Sequence, residues 1–313
     1  MMESTESKLA MGHILVGTAS WTDKALIASG RFYPPEVKTP EERLRFYARQ
    51  FPLVEVDSSY FALPMAHNAN LWVERTPPSF VFDLKAFRLF TQHQTPPEAL
   101  PKDIREALGP CEKRKLYYRD LPPELQEELW RRFLDGIAPL RQADRLGVVL
   151  FQFPPWFLPS RASYAHILSC QAHLPGFQLA IEFRNRAWLE PGRAADAMAF
   201  EREHGLAHVV VDEPQGFASS VPARWDVTCP DIAVVRLHGR NAETWERKGL
   251  QSSGARFNYL YDEDELRTLA GEVRRLSGRA RQVHALFNNN YGDYAQRNAL
   301  DFRRLMQEAP TRH

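Results

Sequence analysis

Four short apolar runs in this sequence carry ionisable residues two positions apart. They place Glu55 with Asp57, Asp83 with Lys85, Glu182 with Arg184, and Arg236 with His238, the last series continuing to Arg240. Successive side chains of a strand point to opposite faces, so each pair shares a face. Gln152 and Asp212 end two further runs with single polar residues. Burying a charge without a partner costs about 3–5 kcal/mol, and packed apolar residues often replace a buried ion pair without loss. A network this large either fixes the register of the strands or does chemistry, and its number and position favour chemistry. A carboxyl against apolar walls titrates high and one beside Arg or Lys titrates low, so a pocket of mixed charge can separate an acid from a base. The expected proton-transfer groups are Glu182, Asp212, Glu55, Lys85 and His238. Glu182 takes the role of general acid or base, oriented by Arg184, while Lys85 or His238 stabilises developing negative charge. Lys85 as a Schiff-base nucleophile is the alternative to a salt-bridged Lys85.

These residues need strands to position them, and short β-branched and aromatic runs recur along the chain. The first is Ile14–Gly17, followed by Phe51–Asp57, Phe80–Lys85 and Leu146–Gln152. Leu179–Arg184, Ala207–Asp212, Ile232–His238 and Val283–Asn288 complete the series. Helix-like stretches lie between them. Thr39 precedes Pro40-Glu41-Glu42, a helix start with proline at its first position and acids in its first turn. Pro123–Leu146, Asp262–Leu276 and Tyr294–Met306 have apolar spacing of helical type. The alternation implies parallel strands with crossover helices, and eight units close naturally into a single TIM-type (β/α)8 barrel of the α/β class. A doubly wound open sheet competes, but no GxGxxG follows any run. The expected organisation is one domain over 1–313, with a flexible N-terminus over 1–12 and an extended loop, 96–123, inserted after strand three. That loop carries the basic run Cys111–Arg119, which suits a lid, a partner surface or a solvated excursion.

In a barrel the charged set belongs at the C-terminal end of the strands, where active sites lie. The loops after strands seven and eight hold Arg236, Arg240 and Asn241, then Asn288, Asn289 and Asn290. They are rich in donors and precede a helix N-terminus, which favours an anion such as phosphate. Trp21, Tyr60, Trp156 and Trp188 follow strands one, two, four and five, and either stack on a ligand or pack against the loops. Asp57, His93, Gln152, Arg184 and Asn185 complete the expected ligand contacts. No cofactor is expected. A divalent metal would use Glu182, Asp212 and His238, but the cations on the same face and the lack of an HExxH-type spacing speak against one.

Composition narrows the setting. Lys and Arg total 40 against 39 Asp and Glu, hydrophobic residues make up 44% and charged residues 25% of 313. This balance suits a globular core and gives no general attraction to nucleic acid, which is therefore not favoured as a partner. Cys111, Cys170 and Cys229 are odd in number and far apart, without metal-ligand spacing, which fits a reduced cytoplasmic setting. Apolar runs such as Val148–Phe153 are too short to span a membrane.

Several segments together resemble the YecE-like family, also called domain of unknown function 72. They are Gly17–Trp21, Phe32–Pro34, Val54–Tyr60, Lys85 with Thr91 and His93, Leu150–Pro155, Ile181–Asn185 with Trp188, Val211–Pro214, Arg236–Arg240 and Phe287–Asn289. The resemblance runs from Gly17 to about Met306 and implies a TIM-type barrel without implying an activity. Two positions depart from the family pattern: Asp57 stands where Asn is common, and Gln92 separates Thr91 from His93. The leading expectation is an enzyme acting by acid–base chemistry on a phosphorylated or polyhydroxylated small molecule, as a hydrolase, isomerase or lyase, with hydrolysis favoured. A glycosidase is one form of this and depends on the separation of Glu55 and Glu182. The competing expectation is a non-catalytic sensor or adaptor that binds a nucleotide, nucleic acid or protein.

Overall fold

Strands and helices alternate along the chain, and the strands close into a barrel in sequence order. The computed structural model describes residues 12–110, 113–217, 219–247, 249 and 253–308; Cys111 and the N-terminal stretch 1–11 lie outside the described residues. Among the described residues the strands are β1 (His13–Ala19), β2 (Leu53–Val56), β3 (Val81–Lys85) and β4 (Leu146–Phe153). They continue as β5 (Leu179–Phe183), β6 (Ala207–Asp212), β7 (Ile232–Leu237) and β8 (Gln282–Phe287). Each pairs in parallel with the next, and β8 returns to β1 over six partners from His13↔Gln282 to Thr18↔Phe287. A closed parallel sheet has no open edge and needs helices on its outside.

The helices are α1 (Lys24–Ser29), α2 (Pro40–Gln50), α3 (Ser58–Phe61), α4 (Ala66–Glu74), α5 (Lys102–Leu108), α6 (Pro123–Gln142), α7 (Arg161–Ala172), α8 (Ala194–Glu203), α9 (Glu263–Ser277) and α10 (Tyr294–Gln307). Their ends follow the expected chemistry. Thr39 caps α2 in a reciprocal capping box with Glu42, with Pro40 at the first helical position, and Asp262 does the same for α9 with Glu265. The described residues between β6 and β7 form no helix, because Pro214, Pro222 and Pro230 remove donors and Gly216 adopts a positive φ of 88°. The insertion after β3 is ordered around α5 and the isolated bridge Thr95↔Leu116. It buries Leu100, Ile104, Leu116 and Leu121 against the outer core.

Two apolar layers result. The outer layer lies between strands and helices, and includes Val54, Val56, Phe82, Leu84, Phe151, Phe153, Val210 and Val235. The inner layer fills the N-terminal half of the barrel with Leu15, Leu53, Val148, Leu150, Ala180, Val209, Val211, Val234 and Leu286. The strand alternation that puts these residues inside puts Glu55, Lys85, Gln152, Glu182 and Arg236 inside too, nearer the C-terminal ends. Strand β1 contributes no inward polar side chain there. Its Gly17 lies so close to β2 that a Cβ would stand 2.0 Å from the Leu53 carbonyl oxygen.

Candidate active site at the C-terminal mouth of the barrel

Arg236 organises the mouth. Its Nε and Nη2 donate to the two oxygens of Glu55 at 2.8 and 2.7 Å, and its Nη1 donates to Glu182 and, at 3.2 Å, to Gln152 Oε1. Glu55 and Glu182 are both fully buried, and Arg236 is 1% exposed. The bidentate, charge-assisted fork is one of the strong hydrogen-bonding arrangements open to a carboxylate. It also brings Glu55 and Glu182 to opposite sides of one guanidinium, which occupies the space a sugar would need between them. The pairing required of a two-carboxylate glycosidase is therefore absent from these two residues.

Arg184 continues the network. Its Nη1 lies 3.2 Å from Glu182 and 2.9 Å from Glu213. Burial pushes Glu182 upward, but Arg236, His238 and Arg184 outweigh it and hold the carboxyl well below its usual range. Glu182 is thus a fixed anion and not an acid. Glu213 is held the other way: burial raises it, against the opposing charge of Arg184. Its Oε1 accepts from the Val221 N–H at 2.7 Å, which ties the β6–β7 loop to the mouth.

Two imidazoles face the same region with opposite free valences. Asn288 Nδ2 donates to His238 Nδ1 at 2.8 Å, which leaves the proton on Nε2. That Nε2 faces Glu182 Oε1 across 3.5 Å and has no hydrogen-bond partner among the described residues. His93 is the mirror case. Thr91 Oγ1 donates to the Arg88 carbonyl, so it accepts from His93 Nδ1 at 2.8 Å and leaves the His93 Nε2 lone pair open. Burial lowers both rings to about 3, reinforced at His93 by Lys85 and Arg88, and at His238 by Arg184 and Arg236 against the nearby Glu182. Both rings are neutral at pH 7. Gln92 explains how His93 reaches Thr91 although one residue separates them: its φ of 63° is left-handed, which turns the chain and sets the neighbours side by side.

Lys85 also lines the mouth and is only partly buried. Its Nζ donates to Gln152 Oε1 at 3.2 Å and sits 4.8 Å from the centre of the Tyr60 ring. Asp57 follows β2 at the start of α3 without capping it, and burial together with Glu55 raises its carboxyl, against Lys85. Tyr60 and the half-exposed Trp156 flank His93 at 5.2 and 5.9 Å between ring centres.

Other expected residues stand elsewhere. Asp212 points to the outer side of the barrel, where it accepts from Arg240 at 2.8 Å and from the Tyr261 hydroxyl at 2.6 Å. Glu213, one residue on, takes the inward position, so the metal set Glu182, Asp212 and His238 does not converge. Among the described residues no group of three His, Cys, Asp or Glu side chains is placed to hold a metal ion. Arg240 is spent on Asp212 and Glu265. Trp21 packs in the outer core against Trp72 and Phe82. Trp188 stacks on Phe183 with its centroid 4.1 Å away and donates to the Phe157 carbonyl. Asn185 and Asn241 brace loops through the Pro155 and Asn258 carbonyls, and Asn289 is buried on Tyr259 and Asn298. Asn290 is half-buried, and its Oδ1 is without a partner among the described residues. The expected anion end after strands seven and eight therefore reduces to Asn288 and Asn290.

Asp83 is inward but deeper: its Oδ2 meets His284 Nδ1 at 2.7 Å and its Oδ1 accepts from the Val148 N–H. Gly147 makes this pair fit, since a Cβ there would stand 2.3 Å from Asp83 Oδ1. In the basic run, Lys113 pairs with Asp120 and Lys115 donates to Gln94. Sequence reasoning passed over Glu213 and His284. The three valines of β6 assign Glu213 no face from sequence, whereas the Val283–Asn288 run places His284 inward beside Leu286.

Comparison with known proteins places this barrel among relatives that span nearly its whole length. Residues 15–313 match the family described as "Protein of unknown function DUF72". The UPF0759 protein YunF of Bacillus subtilis (strain 168) is 31% identical over 295 residues, 94% of either chain. A crystal structure of a DUF72 family protein from Enterococcus faecalis V583 superposes with a TM-score of 0.77 at 27% identity, covering 95% of this chain and 96% of that one. Another, from Thermotoga maritima MSB8, gives 0.74 at 30% identity, covering 95% and 100%.

Proposed function

The chain belongs to the DUF72 family, whose description carries no reaction, and from the mouth geometry we propose an enzyme that moves protons on a small polyhydroxylated or phosphorylated molecule, as an isomerase or lyase. The observation that carries this reading is the pair of neutral imidazoles at the mouth, one with an open acceptor (His93 Nε2) and one with a donor (His238 Nε2–H) whose nearest acceptor, Glu182 Oε1, stands 3.5 Å away. Neutral rings of opposite tautomer can take a proton from one atom and give one to another without a change in net charge. Lys85 is placed to stabilise the negative charge that develops between the two transfers, Asn288 orients His238 through Nδ1, and Arg184 and Arg236 hold Glu182 ionised. Tyr60 and Trp156 offer apolar faces for a carbon skeleton.

This reading displaces hydrolysis by paired carboxylates, because Glu55 and Glu182 are both committed to Arg236. The buried free thiols of Cys170 and Cys229 fit work in the reducing cytoplasm. The test is incubation in deuterium oxide with dihydroxyacetone, D-glyceraldehyde and their phosphates, followed by mass spectrometry for deuterium entering carbon. The expected result is exchange that falls about 100-fold or more in His93→Gln. Exchange that persists at the wild-type rate in both His93→Gln and His238→Gln contradicts the proposal.

A further inference from the structure

We propose that Lys85 is a nucleophile that forms an iminium with the carbonyl carbon of its substrate, which makes small hydroxyaldehydes and hydroxyketones the substrate class of the mouth. This rests on the acid–base reading above and goes further by naming a covalent step. Four carboxylates surround the site, and three are taken: Glu55 and Glu182 by Arg236, and Glu182 with Glu213 by Arg184. Asp57 is the fourth, and it makes no ion pair with Lys85. Among the described residues the ammonium therefore has one hydrogen bond, to a neutral amide oxygen, and one aromatic face. An ammonium has three donors, so two are unspent.

The acceptor that Lys85 does have is shared. Gln152 Oε1 also receives Arg236 Nη1 at 3.2 Å, so a permanent cation stands beside the amine and Gln152 stays bonded when the amine loses its proton. The charged groups facing Nζ are Arg236, Glu55, Glu182 and Asp57; the neutral His93 ring is close enough to feel the Lys85 charge, and Arg88 lies over the Tyr60 ring that Lys85 also meets. Burial lowers Lys85, and Arg236 adds to this against the three carboxylates. A lysine desolvated next to another cation is the arrangement that activates an amine toward carbonyls.

The step balances without an oxidant or reductant. The ammonium gives one proton to His93 Nε2, and the amine lone pair attacks the carbonyl carbon. The carbonyl π pair moves to oxygen, which takes a proton from His238 Nε2–H, and the nitrogen proton returns to that ring. The hydroxyl then leaves as water with the proton held by His93, and the nitrogen lone pair forms the C=N bond. Ammonium plus carbonyl gives iminium plus water. The iminium then withdraws electrons from the neighbouring carbon, which makes its proton removable by the same His93.

Reductive methylation of the full-length protein tests this without knowledge of the natural substrate. Limiting carbon-13 formaldehyde with cyanoborohydride at pH 7 forms and traps iminium ions at the most reactive amines, which peptide mass mapping locates. Lys85 is expected to carry label at least about tenfold faster than the exposed Lys24, Lys38 and Lys102. Label on the exposed lysines with Lys85 unmodified or last overturns the proposal. Lys85→Arg, checked for folding by circular dichroism, keeps a cation and removes the nucleophile. Deuterium exchange into dihydroxyacetone at the wild-type rate in Lys85→Arg refutes the iminium and leaves the acid–base reading intact. Selective labelling of Lys85 with exchange untouched by His93→Gln and His238→Gln has the reverse meaning.

Discussion

Replacing Arg236 with Met isolates the energetics of the mouth. The methionine fills part of the space of the arginine stem but leaves Glu55 and Glu182, both fully buried, without the guanidinium that joins them. Removing one partner of a buried pair costs about 3–5 kcal/mol, and the upper end applies because two carboxylates lose one cation. Glu182 keeps Arg184 at 3.2 Å, whereas Glu55 keeps no salt bridge among the described residues and only the more distant charge of Lys85. Urea unfolding followed by tryptophan fluorescence at pH 8 should show a loss of about 5 kcal/mol with an unchanged slope. A stranded buried carboxyl escapes its cost by binding a proton, so the folded variant binds more protons than its unfolded chain. Stability of the variant then falls as pH rises, and the gap to the wild type should be smaller at pH 5 than at pH 8. Adding Glu55→Gln to Arg236→Met should recover about 2 kcal/mol or more at pH 8, since an amide needs no counter-charge. A loss below about 1 kcal/mol, or one equal at both pH values, would refute the reasoning that buried charge pairing holds the mouth together.

Three further outcomes follow from the same geometry. His93 and His238 are lowered to about 3 in the fold, while an unfolded histidine titrates near 6.5, so the unfolded chain binds more protons between these values. Their contribution is complete above about pH 6.5 and is lost as pH falls toward 3, by up to about 3 kcal/mol per ring at pH 4; unfolding curves of His93→Gln with His238→Gln should be flatter in that window. Gln92 is held at a left-handed φ, so Gln92→Gly should stay within about 1 kcal/mol of the wild type in thermal unfolding, while Gln92→Val costs about 1–3 kcal/mol and lowers activity through His93. Asp212→Asn should cost about 1.5–3 kcal/mol of stability by weakening the Arg240 and Tyr261 bonds and leave turnover kinetics near wild type, whereas Glu213→Gln, inside the mouth, should change the turnover kinetics.

Much of the fold was legible because inward and outward positions differ chemically. In β2, β3, β5 and β7 a charge alternates with Val, Phe, Leu or Ile, so parity assigns Glu55, Lys85, Glu182 and Arg236 to the interior, where they lie. Parity fails in β6. There Val209, Val210 and Val211 are apolar on both faces and two acids follow, so nothing local distinguishes Asp212 from Glu213. The reason emerges only in three dimensions, from Arg240 and Tyr261 waiting outside and Arg184 inside. Depth is likewise invisible to parity, which puts Asp83 inward without revealing that it pairs with His284 below the mouth. Loop aromatics carry no alternation at all. Trp21 and Trp188 turn into the outer core because Phe82 and Phe183 offer ring faces there, while Trp156 remains half-exposed beside His93. The Thr91–His93 contact needed a backbone torsion at Gln92 that composition does not encode.

The central claim is that the mouth holds two neutral imidazoles of opposite tautomer, His93 and His238. Nitrogen-15 NMR of the histidine rings from pH 4 to 8, assigned with His93→Gln and His238→Gln, reads both charge and tautomer directly. The account predicts that neither ring titrates above pH 5, that His93 carries its proton on Nδ1, and that His238 carries its proton on Nε2. Titration of either ring near its ordinary value, or the same tautomer on both, would contradict it.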